Sequence, residues 1–234
     1  MTVTAGEFRD SRLLKAAGLI LILAPLLEIV GMAHHPSVHG HDAARLVEEL
    51  RATASLSAVV HGVLIALMFA TLLALTEFAL ARGLSRVAIR WGLIAYGAGA
   101  LAMTAAALVS GLVTPRLAFV NPALAPPDPA LTVQLTALAM LFNQAFARFG
   151  AVLMSAAIAA WSLDLLRDRG GARLLGVFGI VTGLGCALAL CCGVLRLDVQ
   201  GMTIVTVLEA LWTVGVGCLL WRAALRPQRY QPIP

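Results

Sequence analysis

The chain has 234 residues, of which 60% are hydrophobic and only 12% charged, with a mean hydropathy of +0.91 and a formal net charge of +5. Soluble domains carry about 25% charged residues, so this composition excludes an ordinary soluble fold. The apolar residues also form continuous blocks of about 20 residues, the length a helix needs to cross a ~30 Å hydrocarbon slab. Continuous rather than alternating blocks exclude a β-barrel.

The sequence predicts an all-α, polytopic integral membrane protein, a single six-helix transmembrane domain over residues 1–234, with spans at about 13–34, 56–81, 89–112, 138–163, 174–195 and 202–221. Lys and Arg alternate between the connections. Twelve lie on one side: Arg9, Arg12, Lys15, Arg82, Arg86, Arg90, Arg167, Arg169, Arg173, Arg222, Arg226 and Arg229. Four lie on the other: Arg45, Arg51, Arg116 and Arg196. By the positive-inside rule both termini are cytoplasmic and the first connection is outside. The basic charge therefore sets topology and is not a nucleic-acid footprint, so the partner it implies is a lipid bilayer. Sixteen Arg against one Lys points to a GC-rich bacterial genome, and hence to the inner membrane with a periplasmic outer face.

The first span follows a basic segment as a signal peptide would, but Glu28 interrupts it and no clean small-x-small site follows, so it reads as an uncleaved helix. It ends at Pro36, because the residue before a proline is pushed out of the α region. The stretch AHHPSVHGHD then holds four of the five histidines, His34, His35, His39 and His41. From Asp42 to Arg51 a short amphipathic helix is expected, Asp42 capping it and Leu46, Val47 and Leu50 on one face. At about ten residues it is too short to cross and reads as a strap on the outer surface.

Spans two and three join through the short basic RGLSRVAIR and should be antiparallel neighbours. In NPALAPPDPA, Asp128 reads as an N-cap with Pro129 in the first turn. The fourth helix then runs from about 129 to 165, ~55 Å, which is longer than the bilayer is thick. Trp161, Asp164 and Arg167 at its inner end read as an interfacial anchor. In the fifth span, Gly179-x-x-x-Gly183 marks close helix packing. The cysteines form no framework: Cys186 and Cys218 lie within spans, and the vicinal Cys191 and Cys192 show no CxxC spacing.

Ionisable residues inside spans are expensive and mark functional hypotheses. Counted from the basic end, Glu28 lies ~18 Å up, and Arg148 and Glu209 ~20 Å up. Asn143 and Gln144 come a turn further out, and His61, His34 and His35 at the outer boundary. Glu28 and His35 share a helix face, being seven residues apart. These counts predict a cavity lined by Glu28, His35, His61 and Glu209 with Arg148 beside it. Arg148, Gln144 and Asn143 are the candidate cofactor contacts. Imidazole mixed with carboxylate suits Zn, Cu, Fe or Ni, so His35, His61, Glu28, Glu209, His34, His39 and His41 are the candidate metal ligands.

Three functions compete. The first is binding of a transition metal ion, or a small solute, for transport or handling. The second is a membrane-embedded metal enzyme at the outer leaflet, with Arg148 stabilising negative charge, or a haem b variant with His35 and His61 as axial ligands. The third is an accessory subunit, in a homo-oligomer or a larger membrane complex, whose Arg148 pairs with a carboxylate merely to close the bundle. Serine nucleophile chemistry lacks a G-x-S-x-G motif.

Overall fold

The computed structural model describes residues 11–34, 43–119 and 129–225, all helices and tight turns. The order is α1 (Ser11–Ala33), α2 (Ala43–Arg82), α3 (Val87–Leu108), a π-helical segment (Val109–Val113), the single turn α4 (Thr114–Arg116), a 3-10 turn (Leu117–Phe119), α5 (Pro129–Leu165), α6 (Gly171–Cys191) and α7 (Val199–Leu225). Six helices are long and apolar enough to cross a membrane, α3 counting as one with the turns that prolong it to Phe119. The chain is a multi-pass helical membrane protein.

Element ends follow local chemistry. Gly83 and Gly170 take positive φ between α2 and α3 and between α5 and α6, where a side chain would be strained. Asp198 caps α7 by accepting a 2.8 Å hydrogen bond from the Gly201 amide. Pro129 opens α5, as its fixed φ favours.

One expected element differs. Residues 43–51 are helical, but they are the first turns of the 40-residue α2 and not a separate strap. The junction Ala52-Thr53-Ala54-Ser55 holds no glycine or proline to stop the helix. Thr53 also folds its hydroxyl back onto the Glu49 carbonyl at 2.7 Å. The amphipathic face is as expected, with Val47 and Leu50 buried against Ala118.

Inside a bilayer, helices associate through close packing at small residues. Here α1 crosses α7 where Gly18 meets the Gly217 carbonyl and Gly217 meets that of Gly18. Helices α3 and α5 cross in the same reciprocal way at Gly99 and Gly150. Gly183 and Gly176 of α6 lie on the α5 backbone at Ser155 and Ser162. Gly179 faces Ser162 and Trp212, so the GxxxG pair is a packing device. A β-carbon at any of these positions would collide with backbone or a packed side chain.

At the arginine-rich end, the basic end hereafter, Phe78, Tyr96, Trp161 and Trp212 form an aromatic core. Trp161 and Trp212 stack with centroids 5.9 Å apart, and Phe78 meets both edge-on. Trp161 is 0% exposed and donates to the Ile89 carbonyl at 3.1 Å. It is a core residue, not the interfacial anchor its position suggested, because α3 covers it. Asp164 is likewise buried, at 2% exposure, and accepts hydrogen bonds from Arg82 at 2.7 Å and Arg86 at 2.9 Å. Arg82 also reaches Asp168 at 2.7 Å. Two arginines at the α2–α3 turn are thus tied to two aspartates at the end of α5.

Candidate membrane-embedded carboxylate site

The α1–α7 crossing fixes the height of the two half-buried carboxylates, Glu28 and Glu209. With Gly18 against Gly217 in antiparallel helices, Glu28 lies ten residues beyond the contact on α1 and Glu209 eight on α7. At 1.5 Å per residue they agree in height to about 3 Å. Glu28 follows Leu21, fully buried, by seven residues and so shares its core-facing stripe. The two carboxylates act on one another electrostatically, and both act on the buried Tyr96 of α3. Ser155, fully buried on α5, donates a 2.8 Å hydrogen bond to Glu209 Oε1. Side chains of α1, α5 and α7 therefore meet at this level.

Ser155 lies nine residues from Asp164 along α5, so the pair sits ~14 Å from the ionic network, near the middle of a ~30 Å slab. Among the described residues no lysine or arginine forms an ion pair with either carboxylate; the pairs lie at the basic end and in the first turns of α2. A hydroxyl lies nearby. Gly31 of α1 faces Leu64 of α2, which puts Thr71 about a turn from the height of Glu28 on the α2 stripe that packs on α1. Thr71 is buried, and its hydroxyl has no hydrogen-bond partner among the described residues. By contrast Thr53, Thr76, Thr104, Thr182 and Thr213 all donate to their own i−4 carbonyl.

His61 is elsewhere. The Gly31–Leu64 contact puts Glu28 one turn towards the basic end and His61 one turn away from it, ~9 Å apart along the axis. The imidazole is 4% exposed and packs on Gly111 in the π-helical segment of α3, where a β-carbon would overlap the ring. A π-turn widens the helix locally, and here the widened turn receives the imidazole. Its Nδ1 bonds the Ser57 carbonyl at 2.8 Å. Since a carbonyl only accepts, Nδ1 carries the proton in the neutral ring, the tie that commonly orients a ligating imidazole. His34 makes the same bond to the Val30 carbonyl at 2.9 Å, at the height of His61 by the same register, but on the exposed end of α1.

The remaining predicted residues that the structure describes do not join the carboxylates. Arg148 is exposed on α5 and lies seven residues beyond Ser155, hence ~10 Å further from the basic end than Glu209. Counting each helix from its own end missed this because the helices start at different depths. Gln144 donates to the Leu197 carbonyl at 3.1 Å and ties α5 to the α6–α7 connection. Asn143 donates at 2.9 Å to the Ala106 carbonyl, in the last α-turn before the π-segment. Both amides are thus structural ties. His35, His39 and His41 lie outside the described residues. Among the described residues no group of three or more His, Cys, Asp or Glu side chains is placed to hold a metal ion. A shallow apolar groove lined by Leu19, Ile22, Cys218, Trp221 and Arg222 lies towards the basic end, away from the carboxylates.

Sequence reasoning missed Ser155, which donates to Glu209, the buried Tyr96 beside Trp161, and the Arg82–Asp164 network. Ser155 had one signal, its place among the small residues of α5. Asp164 had another, an acid one turn from Trp161 at a helix end. Fold and site together define a six-helix membrane protein with an acidic centre near mid-bilayer. No protein-family model, curated protein or solved structure matches the chain.

Proposed function

We propose that this is a bacterial inner-membrane protein, with both termini cytoplasmic, that binds a transition metal ion at the Glu28–Glu209 pair for transport or handling. One observation carries the reading. Two half-buried carboxylates from the first and last spans are at one height in the bundle, without a basic ion-pair partner among the described residues. Like charges in low dielectric repel, and a bound cation relieves both at once. The unpartnered Thr71 hydroxyl supplies a further oxygen at about that depth. His34 and His61, oriented through Nδ1, lie two turns outward on the histidine-rich side and would receive the ion first.

Equilibrium dialysis of the detergent-purified chain against Zn²⁺, Cu²⁺, Ni²⁺ and Fe²⁺ tests this. Near-stoichiometric uptake of one of these is expected, with Glu28→Gln and Glu209→Gln each weakening it about tenfold or more, some 1.4 kcal/mol. Glu77→Gln, in the last turns of α2, should leave affinity unchanged. Equal affinity in all four proteins would sink the proposal.

A further inference from the structure

The two glycines that bring α1 and α7 into backbone contact, Gly18 and Gly217, have a groove beside them. Leu19 and Ile22 of α1 and Cys218, Trp221 and Arg222 of α7 line it. Leu19, Cys218 and Trp221 are exposed, so the groove opens outward to the medium around the bundle. Its volume of about 280 Å³ falls short of the ~300–1,000 Å³ that encloses a small molecule. A chain lying along the surface fits it better.

The depth of each wall follows from the carboxylate level near mid-bilayer. Leu19 lies nine residues from Glu28, and Cys218 nine from Glu209, hence ~14 Å from that level. Both are inside a hydrocarbon half-layer of ~15 Å. Trp221 comes one turn further, at the interface where tryptophan is enriched. Lys15 and Arg222 each lie thirteen residues from the carboxylate of their own helix, ~20 Å. That is the headgroup layer of a bilayer ~40–45 Å thick overall. Lys15 shares the helix stripe of Leu19 and Ile22, being four and seven residues before them, and Arg222 follows Cys218 by four. Each wall of the groove thus ends in a cation, the two at one height to about 3 Å.

The charge pattern identifies the occupant. Apart from Glu28 and Glu209, α1 and α7 carry no acid. Among the described residues neither Lys15 nor Arg222 forms an ion pair. Two cations at headgroup depth above an apolar groove complement a phosphate joined to an acyl chain. A zwitterionic headgroup would bring its own positive charge beside them, whereas a net anionic one does not. We infer that this groove binds an anionic phospholipid, its phosphate between Lys15 and Arg222 and one acyl chain along Leu19, Ile22 and Cys218. Residues 1–10 and 226–234 carry Glu7, Arg9, Asp10, Arg226 and Arg229, side chains that are costly at the depth of the groove walls. The inference needs no metal at the carboxylates.

The test is quenching of Trp221 fluorescence by brominated lipids, with the full chain in phosphatidylcholine bilayers. Trp91→Phe leaves Trp221 as the exposed tryptophan, since Trp161 and Trp212 are 0% exposed. Brominated phosphatidylglycerol should reach half-maximal quenching at a mole fraction about fivefold lower than brominated phosphatidylcholine. Lys15→Gln combined with Arg222→Gln should abolish the difference, and Lys15→Arg, which keeps the charge, should preserve it. Arg90→Gln combined with Arg173→Gln, at exposed arginines of the same end on α3 and α6, should also preserve it. Equal quenching by the two lipids, a difference that survives Lys15→Gln/Arg222→Gln, or its loss in the Arg90/Arg173 variant would each overturn the inference. So would the absence of quenching by either lipid, which would mean that protein covers the groove.

Discussion

Ser155 and Glu209 join α5 to α7 by a 2.8 Å hydrogen bond in which a fully buried hydroxyl donates to a carboxylate near mid-bilayer. The serine owes its position to Gly183, which lets α6 lie directly on the α5 backbone at that turn. One packing contact thereby fixes the donor that orients the acid.

Ser155→Ala keeps the packing and removes the donor. It should cost about 2 kcal/mol, the range for a hydrogen bond to a charged group, read as a lowered unfolding midpoint in detergent. Ser155→Thr keeps the hydroxyl but crowds the Gly183 crossing, so it should not restore wild-type stability.

Arg148→Ala should change stability by less than about 0.5 kcal/mol, because the side chain is exposed and replaceable there. A loss of several kcal/mol would return Arg148 to the bundle-closing role that the sequence alone suggested.

The ionic network gives a ranked prediction. Asp164→Ala leaves two arginines without their buried partner and should cost about 3 kcal/mol. Arg86→Ala removes a 43% exposed side chain and should cost about 1 kcal/mol or less. Arg82→Ala should fall between them, since Arg82 serves both Asp164 and Asp168. Thermal unfolding of the three variants under one detergent condition would give the order.

Gly111→Ala places a methyl group where the His61 ring lies and should destabilise by about 1–3 kcal/mol. In the double variant Gly111→Ala/His61→Gly, which removes both the Cβ and the ring that the methyl would meet, the loss should be smaller than the sum of the two single losses. Additive losses in the cycle would mean that the π-helical turn does not seat His61.

The spans were legible in the sequence because hydrocarbon imposes both length and composition on any helix that crosses it. The start of α5 was legible for the same kind of local reason, since Asp128-Pro129 is helix-opening chemistry. Depth along a helix was not. Arg148 and Glu209 count to similar heights from their own ends, yet the Gly183 contact and the Ser155 bond put them ~10 Å apart. Registers between helices are set by which glycines meet, and that is pairwise information that a single helix pattern does not contain. Trp161 and Asp164 were misread for a related reason: their position at a helix end suggests an interface, and only the packing of α2 and α3 over that end buries them. The fusion of the expected strap into α2 is a propensity effect, since Ala-Thr-Ala-Ser offers nothing that ends a helix.

The most direct test of the carboxylate centre is the metal content and visible spectrum of the freshly purified protein beside Glu28→Gln/Glu209→Gln. The account predicts a bound transition metal near one per chain, lost from the double variant, and no Soret band in either. A wild type that is metal-free as isolated and stays so after incubation with Zn²⁺, Cu²⁺, Ni²⁺ and Fe²⁺ would contradict it, and so would a double variant that retains the metal in full.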